Sequence, residues 1–369
     1  MSPALFRYIA KRLLFMVPTL LGILLVTFTL IQFVPGGPVE QMVQMLKGDH
    51  GGAGGAATGL AVPGGSAAGD VGQTGGVYRG RVGVDPQKIE EIKALYGFDK
   101  PVHERFFDMV WGFLRLDLGT SFFHSRSVWE LIVEKLPVSA SLGLWSFLIT
   151  YLVSIPLGIA KAVRHGSQFD LMTSLAILVG YAIPGFVLGV IMLVFFGGGS
   201  FLQLFPLRGL TSDDFEQLSL IGKVLDYFWH LVLPLTCLVL GSFAVITMLT
   251  KNTMLEEIRR QYVLTARAKG LEERAVLWRH VLRNAMIPIV TGFPAAFVAA
   301  FFTGALLIET LFSLDGLGLL SYEAVIKRDY PVVMGTLFFF SVLGLLAKLV
   351  NDVLYVFVDP RVQFEASRA

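Results

Sequence analysis

The sequence predicts an all-α membrane protein with six transmembrane helices and a helical subdomain between the first and second spans. Three observations carry that prediction. Of 369 residues, 54% are hydrophobic and only 16% charged, whereas a soluble domain is about a quarter charged. Mean hydropathy is +0.67. Six apolar runs reach the roughly 20 residues that a helix needs to cross a bilayer. Finally, Lys and Arg gather in the connections that a six-span chain places on one side.

The first run, about residues 12–34, follows Arg7, Lys11 and Arg12. It is too long for the apolar part of a signal peptide. It also ends in Pro35-Gly36-Gly37-Pro38 rather than a small-residue cleavage pattern, so a retained first span is expected. The other runs are 138–160, 171–197, 230–250, 286–312 and 332–357. Pro184-Gly185 and Pro294 fall inside two of them, which is tolerated in membranes when neighbours satisfy the freed backbone groups. No period of 20–50 residues recurs, which argues against a repeat architecture.

Charge sets the orientation. The N-terminal end, the loop with Lys161 and Arg164, and the loop from Lys251 to Arg283 fall on one side, read as the cytoplasm with both termini. The chain thus divides into an N-terminus and first span (1–34), an external loop (35–137), a five-helix core (138–358) carrying a cytoplasmic loop (251–287), and a tail (359–369).

The external loop has two parts. Residues 48–83 are rich in Gly and Ala with few large apolar side chains. Such a segment buries too little to offset its ordering entropy; a flexible linker and a loop that orders against an external partner are both open. Beyond it, Asp85 is placed to cap a helix opened by Pro86. Amphipathic stretches follow at Phe106–Leu114 and Val128–Leu136, giving a small helical subdomain on the membrane surface.

The inventory of chemistry is mostly negative. There is no G-x-x-x-x-G-K-[ST] phosphate loop. The single cysteine, Cys237, lies in an apolar run, and no His sits at metal-ligand spacing with another His or Cys. The net charge of +2 gives no argument for nucleic acid. Intramembrane charge is costly and usually functional, and three candidates appear. Glu309 reads as an outer gate, a subunit contact or an interfacial carboxylate. Lys348 and Asp352, four residues apart, read as a self-paired or snorkelling set. No carboxylate lies near the bilayer centre, which counts against a proton-coupled pump.

The remaining feature is the stretch from Arg259 to Pro294, basic and water-compatible between two apolar runs. Tyr262, Ala266 and Lys269 share one helical face, and Gly270 can end that helix. A second helix runs from about Glu272 to Asn284. Small residues at the bend permit a partner's close approach, with Arg267, Lys269 and Arg274 as a charged rim. A basic segment lying on anionic lipid explains the same residues equally well.

TARAKG at 265–270 and WRHVLRNAMIP at 278–288 resemble the cytoplasmic loop of ABC-importer permeases, in particular the oligopeptide and dipeptide class. LDLGTSF at 116–122, AKAVRHGSQFD at 160–170, LIETLFSLDGLG at 307–318, RDYP at 328–331 and DPR at 359–361 agree. The Gly-rich insertion and PGGPVEQ resemble the Yej-type branch. Leu264 departs from the general importer pattern, which has Glu there, and Pro288 lies farther from Gly270.

The resemblance implies a bacterial inner-membrane permease subunit that hydrolyses nothing itself. It implies a second, similar permease, and a cytoplasmic ATPase with two nucleotide-binding domains or subunits that use ATP and Mg. It also implies a periplasmic binding protein that delivers peptides or peptide-like compounds and is received by the helical subdomain. Tyr262, Thr265, Ala266, Arg267, Ala268, Lys269 and Gly270 would dock the ATPase. Ala295, Ala299, Ala300 and Gly304, small residues on the fifth span, suit packing against the second permease or within the chain. A proton-coupled transporter, and a membrane anchor or sensor using the basic loop on lipid, are the rival readings.

Overall fold

The computed structural model describes residues 3–33, 99–197, 201–302 and 305–358. The Gly-rich segment 48–83, the expected helix behind Asp85 and Pro86, Gly304 and the tail 359–369 lie outside the described residues. Among those described, every regular element is helical, and two isolated bridges, Thr120–Ser127 and Gly197–Gln203, are the strand-like pairings.

The helices, in order, are α1 (Pro3–Phe33), α2 (Val102–Leu114), α3 (Val128–Val163), α4 (Gln168–Ala182), α5 (Gly185–Phe196) and α6 (Leu220–Ile258). Then follow α7 (Gln261–Ala268), α8 (Glu273–Ala285), α9 (Ile287–Phe302), α10 (Ala305–Leu311), α11 (Leu317–Lys327) and α12 (Tyr330–Val358). Four of them, α1, α3, α6 and α12, are individually long and apolar enough to cross a membrane, and the bent pairs α4–α5 and α8–α9 bring the number to six.

The boundaries differ from the sequence reading where a tertiary contact outweighs a local signal. The second span starts at Val128 rather than 138 and runs through Pro137. Val128, Leu131 and Ile132 are buried, so the expected separate surface helix there is the first turns of a span. The fourth span begins at Ser219, whose hydroxyl accepts from Gly222 N at 3.1 Å, and continues to Ile258. Its 39 residues make a rod of about 58 Å at 1.5 Å per residue, well beyond a hydrocarbon core of roughly 30 Å.

The third run does not form one helix. It breaks at Ile183-Pro184, and the chain turns by 93° from α4 into α5. Pro184 has no N–H to continue the ladder, and the residue before a proline is pushed out of the helical region. Ile183 accordingly adopts φ −87°, ψ 118°. Gly185 then lies so close to α6 that a Cβ there would sit 2.8 Å from the Cys237 carbonyl oxygen. Only a glycine allows that approach.

The chain falls into two compact units, Met1–Leu24 with Leu116–Ala369, and Leu25–Arg115. In the smaller, the rings of Phe28 and Phe106 meet at 5.3 Å, tilted by 60°, and Arg105 donates to Gln32 at 2.7 Å. Helix α2 buries Phe113 but exposes Phe107, Trp111 and Leu114, with the Arg115 guanidinium 4.8 Å from the Trp111 ring. It is amphipathic as expected: Phe106, Met109, Val110 and Phe113 turn inward while Glu104 and Asp108 stay exposed.

In the larger unit, α3 and α6 form the central pair, and α9 lies between α3 and α12. Three buried clusters run along it. Leu142, Leu231, Leu235 and Phe312 fill one end. Phe147, Tyr151 and Ile289 fill the middle. Ala162, Met254, Val263, Val276 and Val281 fill the basic end. Outward-facing Leu152, Leu171, Leu175 and Val350 stay exposed, as suits faces that meet lipid rather than water.

Candidate functional site

At the basic end the chain makes an elbow. After α6, Arg260 reaches back to Glu256 at 2.7 Å and α7 begins. Its inward face is fixed by Val263 and Ala266, three residues apart, which pack with Met254, Ala162 and the valines of α8. The Tyr262 hydroxyl donates to Glu257 at 2.6 Å. Burial and that carboxylate push the phenol above its ordinary pKa, so it remains a donor.

Gly270 ends α7 as the sequence indicated. It sits at φ +79°, in the left-handed region. Gly270 N donates to the Arg267 carbonyl at 2.9 Å and Leu271 N to that of Ala266 at 3.3 Å. This is the two-bond helix stop that glycine favours. Arg267 and Glu273 then close the turn with two hydrogen bonds, one of them Nε to Oε2 at 2.9 Å. Helix α8 carries a π-helical turn over Val276–Val281 before the chain enters α9.

The docking residues read from the sequence therefore separate. Ala266 faces inward, 7% exposed, and Tyr262 is half-buried. Arg267 is engaged with its own chain. Thr265, Ala268, Lys269 and Gly270 are exposed. Tyr262, Ala266 and Lys269 lie at helical spacing on one face, which turns inward at Ala266 and leaves only Lys269 exposed. An eight-residue helix has room for one buried face, and Val263 with Ala266 takes it. The outward face carries Leu264 (56% exposed), with Leu271 (43%) and Trp278 (58%) beside the turn. A leucine and a tryptophan beside charged residues were readable as an exposed contact only once the inward face was known.

The larger unit also holds a half-open cavity of about 780 Å³ between α3, the α4–α5 break, α6, α9 and α10. Hydroxyls of Ser146, Thr150 and Ser242 and the rings of Phe147, Tyr151 and Tyr181 line it. No described lining residue carries a charge or an imidazole. Its wall is braced by aromatic contacts: Phe147 lies 4.5 Å from both Tyr151 and Phe293. Ala299 lines this cavity, Ala295 is exposed beside it on α9, and Ala300 follows on the same helix.

Glu309 is fully buried and hydrogen-bonded within its own chain. Its carboxylate accepts from the Ser139 hydroxyl at 2.9 Å and from Leu319 N at 2.8 Å. Ser139 in turn accepts from Leu317 N at 2.8 Å. The sequence could not show this, because the loop at 312–319 wraps back over α10. Asp352 pairs with Arg12 of α1 at 3.0 Å, so the expected self-pairing with Lys348 gives way to a contact between the first and last spans.

Residues 154–364 match the family described as binding-protein-dependent transport system inner membrane component. The chain is 54% identical over 361 residues to the peptidoglycan transport system permease protein YejB of Agrobacterium fabrum, covering 97% of this chain and 98% of that one. It is 52% identical over 359 residues to the inner membrane ABC transporter permease protein YejB of Escherichia coli O157:H7, at 97% and 99% coverage. It is 32% identical over 375 aligned positions to the dipeptide transport system permease protein DppB of Escherichia coli K12, at 97% and 98% coverage.

Proposed function

Because the chain belongs to the family of inner membrane components of binding-protein-dependent transport systems, we propose that it forms half of the path through an ATP-driven peptide importer. It pairs with a second, similar permease. A cytoplasmic ATPase binding ATP and Mg docks on the elbow, and a periplasmic binding protein delivers the cargo. The elbow end and both termini lie in the cytoplasm, as the Lys and Arg distribution supports.

The observation that carries this reading is the elbow. Val263 and Ala266 anchor it to the ends of α3 and α6, while Leu264, Lys269, Leu271 and Trp278 face out. A rigid turn with an outward apolar and basic face suits a protein groove, and its inward anchorage suits transmission of force. A helix meant only for lipid has no need of a rigid turn between two buried anchors.

The cavity supports the cargo class. Peptides carry amides along their whole length and side chains of either sign. Hydroxyls and aromatic rings satisfy amides and apolar groups without selecting a charge, and specificity then resides in the delivering protein. Relatives named for dipeptide and for peptidoglycan transport extend the candidates to peptide-bearing cell-wall fragments. The absence of a carboxylate or imidazole from the described cavity lining speaks against proton coupling, since proton relays in membranes are built from Asp, Glu and His.

The test is reconstitution with the second permease and the ATPase, followed by peptide uptake at imposed ATP or imposed proton gradient. Uptake that needs ATP and is lost in Leu264→Asp together with ATPase association supports the proposal. Uptake driven by the proton gradient alone overturns it. Retained uptake in Leu264→Asp with weaker lipid binding favours the lipid reading.

A further inference from the structure

At the basic end, beside the elbow, three helices meet on one carboxylate. Asp170, in the first turn of α4 and 5% exposed, accepts from Lys251 of α6 at 2.6 and 2.8 Å through its two oxygens. Lys161 of α3, with no exposed surface, lies 3.1 Å from the same carboxylate. Its ammonium also donates to the Asp170 carbonyl at 3.0 Å, to Thr173 at 2.7 Å and to Ser174 at 2.8 Å. Gly166 N donates to Asp170 at 3.2 Å, and His165 Nδ1 lies 3.3 Å away.

Burying two ammonium groups and a carboxylate is a poor way to stabilise a fold, because desolvation offsets most of the attraction. Such a cluster does fix geometry, since each group has directional partners and slippage leaves a buried charge unpaired. Here it fixes where α4 starts relative to α3 and α6. Helix α4 then runs to the break at Ile183-Pro184, and Tyr181 near its end lines the cavity.

The other side of the cluster abuts the elbow. Ala162, the neighbour of Lys161, and Met254, one turn beyond Lys251, are the residues against which Val263 and Ala266 of α7 pack. The order in space is thus elbow, apolar anchor, ion cluster, α4, cavity.

We propose that Asp170, with Lys161 and Lys251, is the positioning node that converts displacement of the elbow into movement of α4 and of the broken span at the cavity. It rests on the importer reading above. Asp170 touches no cargo and no nucleotide; it acts by making α4 follow α3 and α6. Spatial order alone does not establish coupling, which requires that loss of the node separate the two ends energetically.

The experiment uses the reconstituted importer: this permease, its second permease, the ATPase and the binding protein. Wild-type complex must first show ATP-dependent peptide uptake; failure there overturns the importer reading rather than the node. In Asp170→Asn the expected result is uptake reduced tenfold or more with ATP hydrolysis within twofold of wild type, so that ATP spent per peptide rises at least fivefold. Asp170→Glu, which keeps the charge, restores part of the ratio. If Asp170→Asn does not assemble, Lys251→Gln carries the same expectation, because it removes one cation and leaves Lys161 paired.

Spin labels at Met172 on α4 and at Gln261, exposed at the start of α7 and outside the docking residues, give a second readout. Their separation changes with ATP when α4 is a driven element, and the change shrinks in Lys251→Gln. A node that is only structural lowers uptake and hydrolysis together, and an irrelevant one changes neither. Either result, or a label separation indifferent to the substitution, overturns the proposal.

Discussion

Arg267 and Glu273 face each other across the Gly270 turn and join the two arms of the elbow through a doubly hydrogen-bonded ion pair. Both side chains are partly exposed, and exposed pairs contribute at most about 1 kcal/mol. The glycine matters more. An added Cβ meets nothing within 4 Å, so space is not the constraint; the φ of +79° is. Gly270→Ala should cost about 1–2 kcal/mol of local stability, the strain of a left-handed L-residue. Since 1.4 kcal/mol is a factor of ten, tryptic cleavage at Lys269 and Arg274 should speed up about tenfold. Arg267→Ala should change it less, and exchanging the charges of Arg267 and Glu273 should restore it.

How much of this was legible beforehand follows the range of each interaction. The spans were legible because twenty apolar residues in a row have few other uses. Gly270 as a helix stop was legible because the signal is local. The inward turn of Ala266 was not. It depends on Met254 and Ala162, and the latter lies about a hundred positions away in the sequence. Asp170 carries no local signal, since its partners Lys161 and Lys251 come from two other helices. Glu309 stood out as an intramembrane charge, but its solution lies in Ser139 and the backbone of Leu319, which no pattern within its own helix announces.

The cavity makes a prediction about charge. Ser242 lines it and is exposed to it. An aspartate there would sit roughly 8 Å from a cargo carboxylate, a repulsion of about 2 kcal/mol at an effective dielectric near 20. In Ser242→Asp, competition between Ala-Glu-Ala and Ala-Lys-Ala for uptake should therefore swing at least tenfold toward the lysine peptide. No swing would mean that cargo does not pass this surface.

The break in the third span makes a prediction about packing. A methyl group on Gly185 would press on the Cys237 carbonyl, which is backbone and cannot rotate away. Overpacking of this kind costs about 1–3 kcal/mol. Gly185→Ala should lower the thermal midpoint in detergent and part α5 from α6. The latter is measurable as faster alkylation of Cys237, which is now buried.

Glu309 predicts a contrast between two substitutions. Glu309→Leu strands the Ser139 hydroxyl and Leu319 N in a buried site, at about 1–3 kcal/mol for each unpaired group. Glu309→Gln keeps an acceptor oxygen in place and should lose less than half as much. Thermal unfolding of the purified permease should rank wild type, Gln and Leu in that order. Equal midpoints for Gln and Leu would mean that the carboxylate's charge, not its acceptor role, holds the loop at 312–319.

The last span offers a test between two pairings of one carboxylate. Lys348 lies four residues before Asp352, a spacing that lets the two side chains meet on one helix face. The geometry instead sets Arg12 at 3.0 Å from Asp352, with exposures of 40% and 20%. A pair this open should couple by a few tenths to about 1 kcal/mol. A double-mutant cycle of Arg12→Ala with Asp352→Asn, read by thermal unfolding, should show that coupling. The parallel cycle with Lys348→Ala should show none. Coupling confined to Lys348 would mean that α1 does not rest on α12 through this pair, and that the last span neutralises its own charge.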